Sequence, residues 1–265
     1  MNETQNQRAM ILRLILILVL ASHCSSFSAT SPTLTATTST TNGIFSSPLA
    51  GIKRIILKKQ LIQAAEVKDE ELVLSLVDEL SQLNPTSCAT LGLAGYNGGT
   101  GSEAPLNGSW RLLYTNAQDA EAPARTEKKA DEKFGDTVAK GVEVRTGQCI
   151  DGASGKCVNF IMLEGDDKRP FDKLEIIIKM TPLNDSRVRL DFLKANAKNE
   201  RAPLPFLRDV TFNFPPASLY DTVARLRGQD PDVEPQAYFD VLYIDDEIRA
   251  HRTGEGKIFV QKRGS

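Results

Sequence analysis

The sequence predicts a mainly β protein, in which two helices precede an antiparallel sheet or barrel and a targeting leader stays disordered. Three observations predict this class. Apolar residues recur at helical spacing between residues 52 and 84. From residue 106 to residue 262 they mostly alternate instead, in short runs separated by turn residues. These runs show no strand–helix–strand repetition of the kind that indicates a parallel sheet.

Composition excludes several classes of function. The chain has 265 residues, of which 41% are hydrophobic and 25% are charged, and its net charge is −2. These values are typical of a globular protein and give no reason to expect a nucleic-acid partner. Four cysteines without CxxC spacing and two histidines do not suggest a typical zinc site. We therefore expect no metal and no cofactor.

Residues 1–26 are predicted to be a signal peptide. Arg8 and Arg13 precede or border a short apolar run, LILILVLA, that is far below the roughly 20 residues of a spanning helix. Small residues follow, and cleavage is expected between Ser26 and Phe27. A buried helix at the true N-terminus is the alternative.

Residues 27–50 are rich in Ser and Thr, and no acidic residue occurs between Glu3 and Glu66. This composition is typical of organelle transit segments and cannot form a core. A signal peptide followed by such a segment resembles the leaders that direct proteins into plastids wrapped by extra membranes, in which phenylalanine follows the cleavage site. Phe27 matches that position. A secreted protein with a disordered, O-glycosylated stalk is the alternative.

Residues 51–86 are predicted to form a helical lead of two short helices. The first, Ile52 to Ile62, carries isoleucines on one face and basic residues around the remainder. It could lie on an anionic membrane surface, or pack on the domain with its lysines in solvent. The second begins at Asp69, a plausible N-cap, and ends before Pro85.

Residues 87–105 are interpreted as a glycine-rich linker, because the Gly-Lys-Ser/Thr ending of a phosphate loop is missing. Residues 106–263 contain the strands. One hairpin is expected around the turn 151–156, a short helix at 217–227, and a three-stranded meander from residue 238 onward.

No catalytic constellation is evident. His251 is not accompanied by a nucleophile elbow, and the run 245–247 is interpreted as solvated turn chemistry. Cys149 and Cys157 flank the same hairpin. They are expected to be free buried thiols, with a redox-sensitive disulfide as the alternative.

Three stretches resemble the plastid lipid-associated proteins, also called fibrillins. They are LSQLNPT at 80–86, LNGSWRLLYT at 106–115 and YFDVLYIDDEIR at 238–249, the last followed by Arg252, Gly254 and the ending IFV. The middle of the chain, which carries a charged insertion at 117–140, matches the family poorly. The resemblance implies a lipocalin-like barrel in a plastid protein, peripheral to a thylakoid or plastoglobule surface, with a small hydrophobic ligand and no enzymatic activity.

The resemblance also implies which residues close the barrel and which line it. Gly108 would let the chain bend, Trp110 would plug the base, and Arg249 or Arg252 would lie across the indole. Alternating apolar residues would line the ligand site: Leu112, Tyr114, Ile176, Ile178, Leu190, Phe192 and Phe212.

Three alternatives stay open at this point. The first is a lipid-modifying enzyme that uses Asp240 as its acid or base. The second is a structural coat protein of lipid droplets. The third is a barrel filled by its own side chains, which contains no ligand.

Overall fold

A computed structural model describes the chain from the first helix to the last strand, with interruptions. The described residues are 48–117, 143–165, 171–202, 204–228, 230–231, 233, 235 and 237–264. The predicted signal peptide and its cleavage position at Ser26 and Phe27 lie outside them, as do most of the transit-like segment and most of the charged insertion.

Two helices open the described chain, as predicted. Helix α1 spans Pro48–Val67 and α2 spans Glu70–Ser81. Asp69 caps α2, because its side chain accepts a hydrogen bond from the backbone N–H of Leu72 at 3.1 Å. The predicted break between the two helices and the predicted N-cap are both confirmed.

Nine strands follow in the described part of the chain, with a third helix before the last three. They are β1 Gly108–Thr115, β2 Glu143–Asp151, β3 Lys156–Glu164, β4 Lys173–Pro182, β5 Arg187–Lys198, β6 Asp209–Asn213, α3 Ala217–Leu226, β7 Tyr238–Ile244, β8 Ile248–Thr253 and β9 Ile258–Arg263. The predicted hairpin, the short helix and the terminal meander are all present.

The pairings of the described strands are antiparallel and close into a ring. The order β4-β3-β2-β1-β9-β8-β7-β5 returns to β4 through the β4–β5 pairing. One edge of β5 pairs with β4 over most of its length. The other edge pairs with β7 near its start and with β6 near its end, so β6 adds to the rim rather than to the ring. The predicted mainly β, antiparallel class with N-terminal helices is confirmed.

Two apolar layers stabilise this ring. The first lies inside the ring and includes Trp110, Ile178 and Val188. The second lies outside, where Leu61 of α1 and Leu80 of α2 pack against the outer face of β1, β7, β8 and β9. Those four strands are therefore buried on both faces, and the helices are an integral part of the fold.

Bulges decide which side chains enter the interior. The β1–β9 register shifts between Leu112 and Tyr114, and the β4–β5 register shifts at Leu193. A bulge inserts one extra residue and reverses the alternation beyond it. Tyr114, which was expected to share the face of Trp110, accordingly lies in the outer layer beneath the helices. The prediction that Tyr114 lines the ligand site was therefore wrong, because the bulge turns its side chain to the outer face.

The glycine-rich segment 87–105 is more than a linker. Leu93 is fully buried in the interior layer, and Ala94 donates its backbone N–H to the carbonyl of Gly152 in the β2–β3 turn. Thr90 donates its hydroxyl to the carbonyl of Asn184 in the β4–β5 turn. The segment thus covers one end of the ring, joined to two of its turns.

Among the described residues, no helix has both the length and the apolar character needed to cross a membrane.

Candidate functional site

Trp110, the single tryptophan of the sequence, closes the covered end of the ring. Its indole is 1% exposed, and its N–H donates to the carbonyl of Leu106 at 2.9 Å. Gly108 precedes it with φ +113°, a conformation that favours glycine. A Cβ at that position would lie 2.9 Å from a guanidinium nitrogen of Arg263. The predicted roles of the glycine and the indole agree with this geometry.

Two guanidinium groups lie over the indole. The Cζ atom of Arg249 is 4.9 Å from the ring centroid, and that of Arg263 is 4.2 Å away. Arg252, the other predicted candidate, is exposed on the outer face of β8 and has no part in the closure. Arg263 was missed by the sequence analysis, because only the β1–β9 register, which places Arg263 opposite Trp110, reveals the contact.

Arg263 also ties the closed end together. Its guanidinium donates hydrogen bonds to the carbonyls of Asn107 at 2.5 Å, Pro105 at 2.9 Å and Asp246 at 2.9 Å. Three backbone acceptors from two loops therefore converge on one side chain, which lies against the indole. This arrangement explains why the chain can turn sharply into β1 without leaving those carbonyls unpaired.

The remaining predicted lining residues are of three kinds: buried in the interior, half-buried against it, or exposed at the rim. Ile176 and Ile178 are buried in the interior layer, and Leu190 and Phe192 are half-buried against it. Leu112 pairs with the inward-facing Gln261 and is likewise half-buried. Phe212 lies opposite Ala195 at the rim, where it is 38% exposed and packs edge-on against Phe214.

An apolar interior was expected from the sequence, but the structure also places polar side chains there. A line of polar side chains crosses the inner faces of β2, β3, β8 and β9: Gln148, Asn159, Arg249, His251 and Gln261. Gln148 donates to Asn159 at 2.7 Å. The alternation of β8 hides this pattern in the sequence, because Ile248 and Ala250 face the helices while the two basic residues face inward.

Arg249 is the centre of that line. It is fully buried, and its Nε donates to the side-chain oxygen of Gln261 at 2.8 Å. Its Nη2 donates to Gln148 and Gln261, whereas its Nη1 has no hydrogen-bond partner. Within the described part of the chain, no carboxylate pairs with it.

Burial shifts the ionisation of the interior groups. It lowers the pKa of Arg249 to about 9, which leaves the guanidinium charged at neutral pH. Burial, reinforced by the charge of Arg249, lowers the pKa of His251, so the imidazole is neutral. Burial also raises the pKa of the Cys157 thiol to about 12. Among these described groups, Arg249 is therefore charged, whereas His251 and Cys157 are neutral at neutral pH.

A cleft opens where β6 and β7 diverge along β5. It has a volume of about 420 Å³ including space open to solvent, and its walls include Leu190, Phe192 and Phe214. Helix α3 covers it. Arg189 of β5 anchors that helix by donating to both carboxylate oxygens of Asp221, at 2.8 and 2.9 Å.

The acidic run at 245–247 forms the turn between β7 and β8 and contacts α1. Asp245 accepts hydrogen bonds from the backbone of Glu247 and Ile248 and from the Tyr243 hydroxyl. It also lies 2.8 Å from the ammonium group of Lys58, which joins α1 to the β7–β8 turn. The run lies in a turn, as predicted, but Asp245 and Glu247 are half-buried and paired, and only Asp246 is exposed.

Asp240, the acid–base candidate, faces away from the interior. Its neighbours Phe239 and Val241 point inward, and Asp240 forms a bidentate pair with Arg187 at 2.7 and 2.9 Å. Cys149 and Cys157 point to opposite faces and are free; only Cys157 is buried. Among the described residues, no group of three or more His, Cys, Asp or Glu could hold a metal ion.

A closed antiparallel ring, plugged at one end by an indole and carrying a cleft beside α3, defines the class of small antiparallel β-ring proteins. A family model described as PAP_fibrillin matches residues 56–262, and the chain belongs to that family of plastid lipid-associated proteins. A comparison with curated proteins finds no match.

Proposed function

We propose that this protein binds or sequesters a small hydrophobic molecule, such as a fatty acid, carotenoid or prenylquinone, inside its ring at a plastoglobule or thylakoid surface. Its family supports a lipid-associated role in plastids. The observation that carries the proposal is the apolar wall formed by the inner faces of β4 and β5, which extends to the cleft.

That wall is suited to an apolar ligand because it is continuous and reaches solvent. Leu174, Ile176 and Ile178 are buried along β4. Leu190 and Phe192 continue the wall on β5 and are only half-buried where the cleft begins. Burying apolar ligand surface against such a wall contributes roughly 25 cal/mol per Å² to the free energy of binding, before the cost of ordering the ligand is subtracted.

The exposed face of α1 supports peripheral attachment to a lipid surface. Leu49 is 75% exposed, and Ile52, Ile55 and Ile56 are each more than half exposed. Lysines such as the exposed Lys59 accompany them. An apolar stripe with basic flanks is typical of helices that lie in the headgroup region of an anionic membrane. The opposite face of α1 is occupied by the ring, so one helix serves both contacts.

Ligand binding is tested first by native mass spectrometry of the protein purified from its own cells, with identification of any co-purifying molecule. Competition against a lipophilic fluorescent dye then tests the site. Leu190→Trp should block the cleft and reduce dye binding, whereas Leu219→Trp, on the exposed side of α3, should not. Equal dye binding by both variants would contradict an interior site reached through the cleft.

Attachment is tested separately by flotation with vesicles. The double variant Ile52→Ser/Ile56→Ser should lose vesicle binding, while Leu226→Ser, at a still more exposed leucine of α3, should keep it. If the cleft-blocking variant still coats droplets from which the α1 variant is released, and no ligand co-purifies, the coat-protein alternative is favoured. Turnover of a lipid that Asp240→Asn abolishes would favour the enzyme alternative.

A further inference from the structure

Arg249 carries a buried positive charge, and no carboxylate among the described side chains pairs with it. The guanidinium is fully buried, and two neutral glutamine oxygens accept from it, but Nη1 donates to nothing. A buried charge is costly unless it is paired and fully hydrogen-bonded. Its contacts with the rings of Trp110 and Phe239 offset part of that cost but leave the Nη1 protons unpaired.

A second buried polar atom without a partner lies on the same inner face of β8. His251 follows Arg249 by two positions on β8, is 6% exposed, and has no partner at Nδ1. Two residues on one face of a strand lie roughly 7 Å apart. A single carboxylate can bridge that separation, because each of its oxygens accepts a hydrogen bond of about 3 Å. A neutral imidazole can donate the second bond from Nδ1.

A row of apolar side chains on β7 extends from this position toward the cleft. The inward residues of β7 run from Ile244, opposite Arg249, through Val241 and Phe239, and Ala237 lines the cleft. The distance along this strand is roughly 20 Å. An acid group on Arg249 would thus place a long hydrocarbon chain against the apolar wall, with its far end near α3.

We propose that Arg249, assisted by His251, is an anion subsite inside the ring, and that the molecule bound there is an apolar acid rather than a neutral lipid. This inference rests on the proposed function and narrows its ligand class. A neutral hydrocarbon or quinone would leave the buried cation unpaired, whereas a carboxylate pairs with it through charge-assisted hydrogen bonds. The pair would be shielded from solvent, so its strength should vary little with salt.

The test uses the full-length protein and two probes of equal chain length, palmitic acid and methyl palmitate, each competing with a bound lipophilic dye. The acid should bind at least about tenfold more tightly than the ester, a difference of about 1.4 kcal/mol. Arg249→Met should abolish that preference, so that the acid and the ester bind the variant equally well. Arg252→Met, on the same strand but exposed, should keep it.

The outcomes separate this inference from the proposed function. If acid and ester bind equally well to the unaltered protein, the anion subsite is wrong and the hydrophobic site stands. If neither probe displaces the dye, and no dye binds, the interior site itself is wrong. If Arg249→Met fails to fold, the two probes are compared on the unaltered protein at low and high salt. That comparison still decides whether the anion subsite exists. An acid preference that high salt abolishes would overturn the proposal, because it would indicate pairing with surface lysines.

Discussion

Trp110 combines three interactions that a smaller side chain could not reproduce together. It fills the covered end of the ring, donates to the Leu106 carbonyl, and lies beneath two guanidinium groups. A desolvated cation–π contact contributes up to about 2 kcal/mol. The two arginines differ in their other partners, since Arg263 bonds to backbone carbonyls and Arg249 to glutamine side chains.

Trp110→Ala should therefore lower the free energy of unfolding by about 3–5 kcal/mol, the usual range for a buried large aromatic side chain. Arg252→Ala is the control, because that side chain is exposed, and it should change stability by less than about 0.5 kcal/mol. Urea denaturation followed by circular dichroism measures both. Similar stability of the two variants would show that the indole does not close the ring.

The two cysteines of the β2–β3 hairpin should react differently with thiol reagents. The register places Cys149 opposite Val158 and Cys157 opposite Ile150, so the sulfurs point to opposite faces. Cys149 is exposed, and burial holds the pKa of Cys157 near 12, which suppresses its thiolate. Maleimide labelling with peptide mapping should modify Cys149 in the folded protein and Cys157 only after unfolding. A disulfide between them under mild oxidation would contradict this geometry.

At the scale of elements, the contact between α1 and the β7–β8 turn depends on one ion-pair cluster. Lys58 is 2.8 Å from Asp245 and 3.1 Å from Glu247, and its side chain is only 15% exposed. Burial opposes ionisation of Asp245, but hydrogen bonds from Lys58, Tyr243 and the backbone lower its pKa overall. Burial likewise opposes the charge of Lys58, but its carboxylate partners raise its pKa.

Lys58→Met should destabilise the protein by about 1–3 kcal/mol near neutral pH, because it leaves the Asp245 carboxylate without its cation. The lowered pKa of Asp245 means that its contribution is present above about pH 4 and is lost as the pH falls through the lower folded value. The raised pKa of Lys58 means that its contribution is present below about pH 10 and is lost above the folded value.

The difference between Lys58→Met and the unaltered protein should thus shrink in acid, as thermal unfolding across a pH series would reveal. Lys59→Met is the matched control, since Lys59 is the exposed neighbour. A stability difference that stays constant down to strongly acidic pH would mean that the lysine contributes through packing alone.

At the scale of the whole molecule, the ring and the helices share their strands. β1 and β7 contribute one face to the interior apolar layer and the other to the helix layer, whereas β8 and β9 contribute apolar residues to the helix layer and buried polar residues to the interior. Removing the helices would expose the second face to water, so the two layers should unfold together. The single tryptophan is a convenient probe, because it lies only in the interior layer.

Leu61→Ala tests this coupling from the helix side. Leu61 is fully buried in the outer layer, and its truncation should cost about 2–5 kcal/mol. The midpoint of Trp110 fluorescence in urea should fall together with the midpoint of the helical circular dichroism signal. Loss of the helical signal at lower urea, with an unchanged fluorescence midpoint, would show that the helices form a separate unit.

Local patterns in the sequence determined the elements. The helical period, the Asp69 cap and the turn residues located α1, α2, α3, the hairpin and the meander, because each of these signals acts within a few residues of the chain. The motif around Trp110 also identified the plugged end, and with the closing motif it identified the family that the comparison later matched.

Tertiary structure decided which faces those elements present. The bulge in β1 turned Tyr114 toward the helices, and the β1–β9 register brought Arg263 to the indole. The positions of Arg249 and His251 in the interior depended on β8 having the helices on its other side. Register, bulges and ring closure are set by pairing between residues far apart in the chain, and no local pattern encodes them.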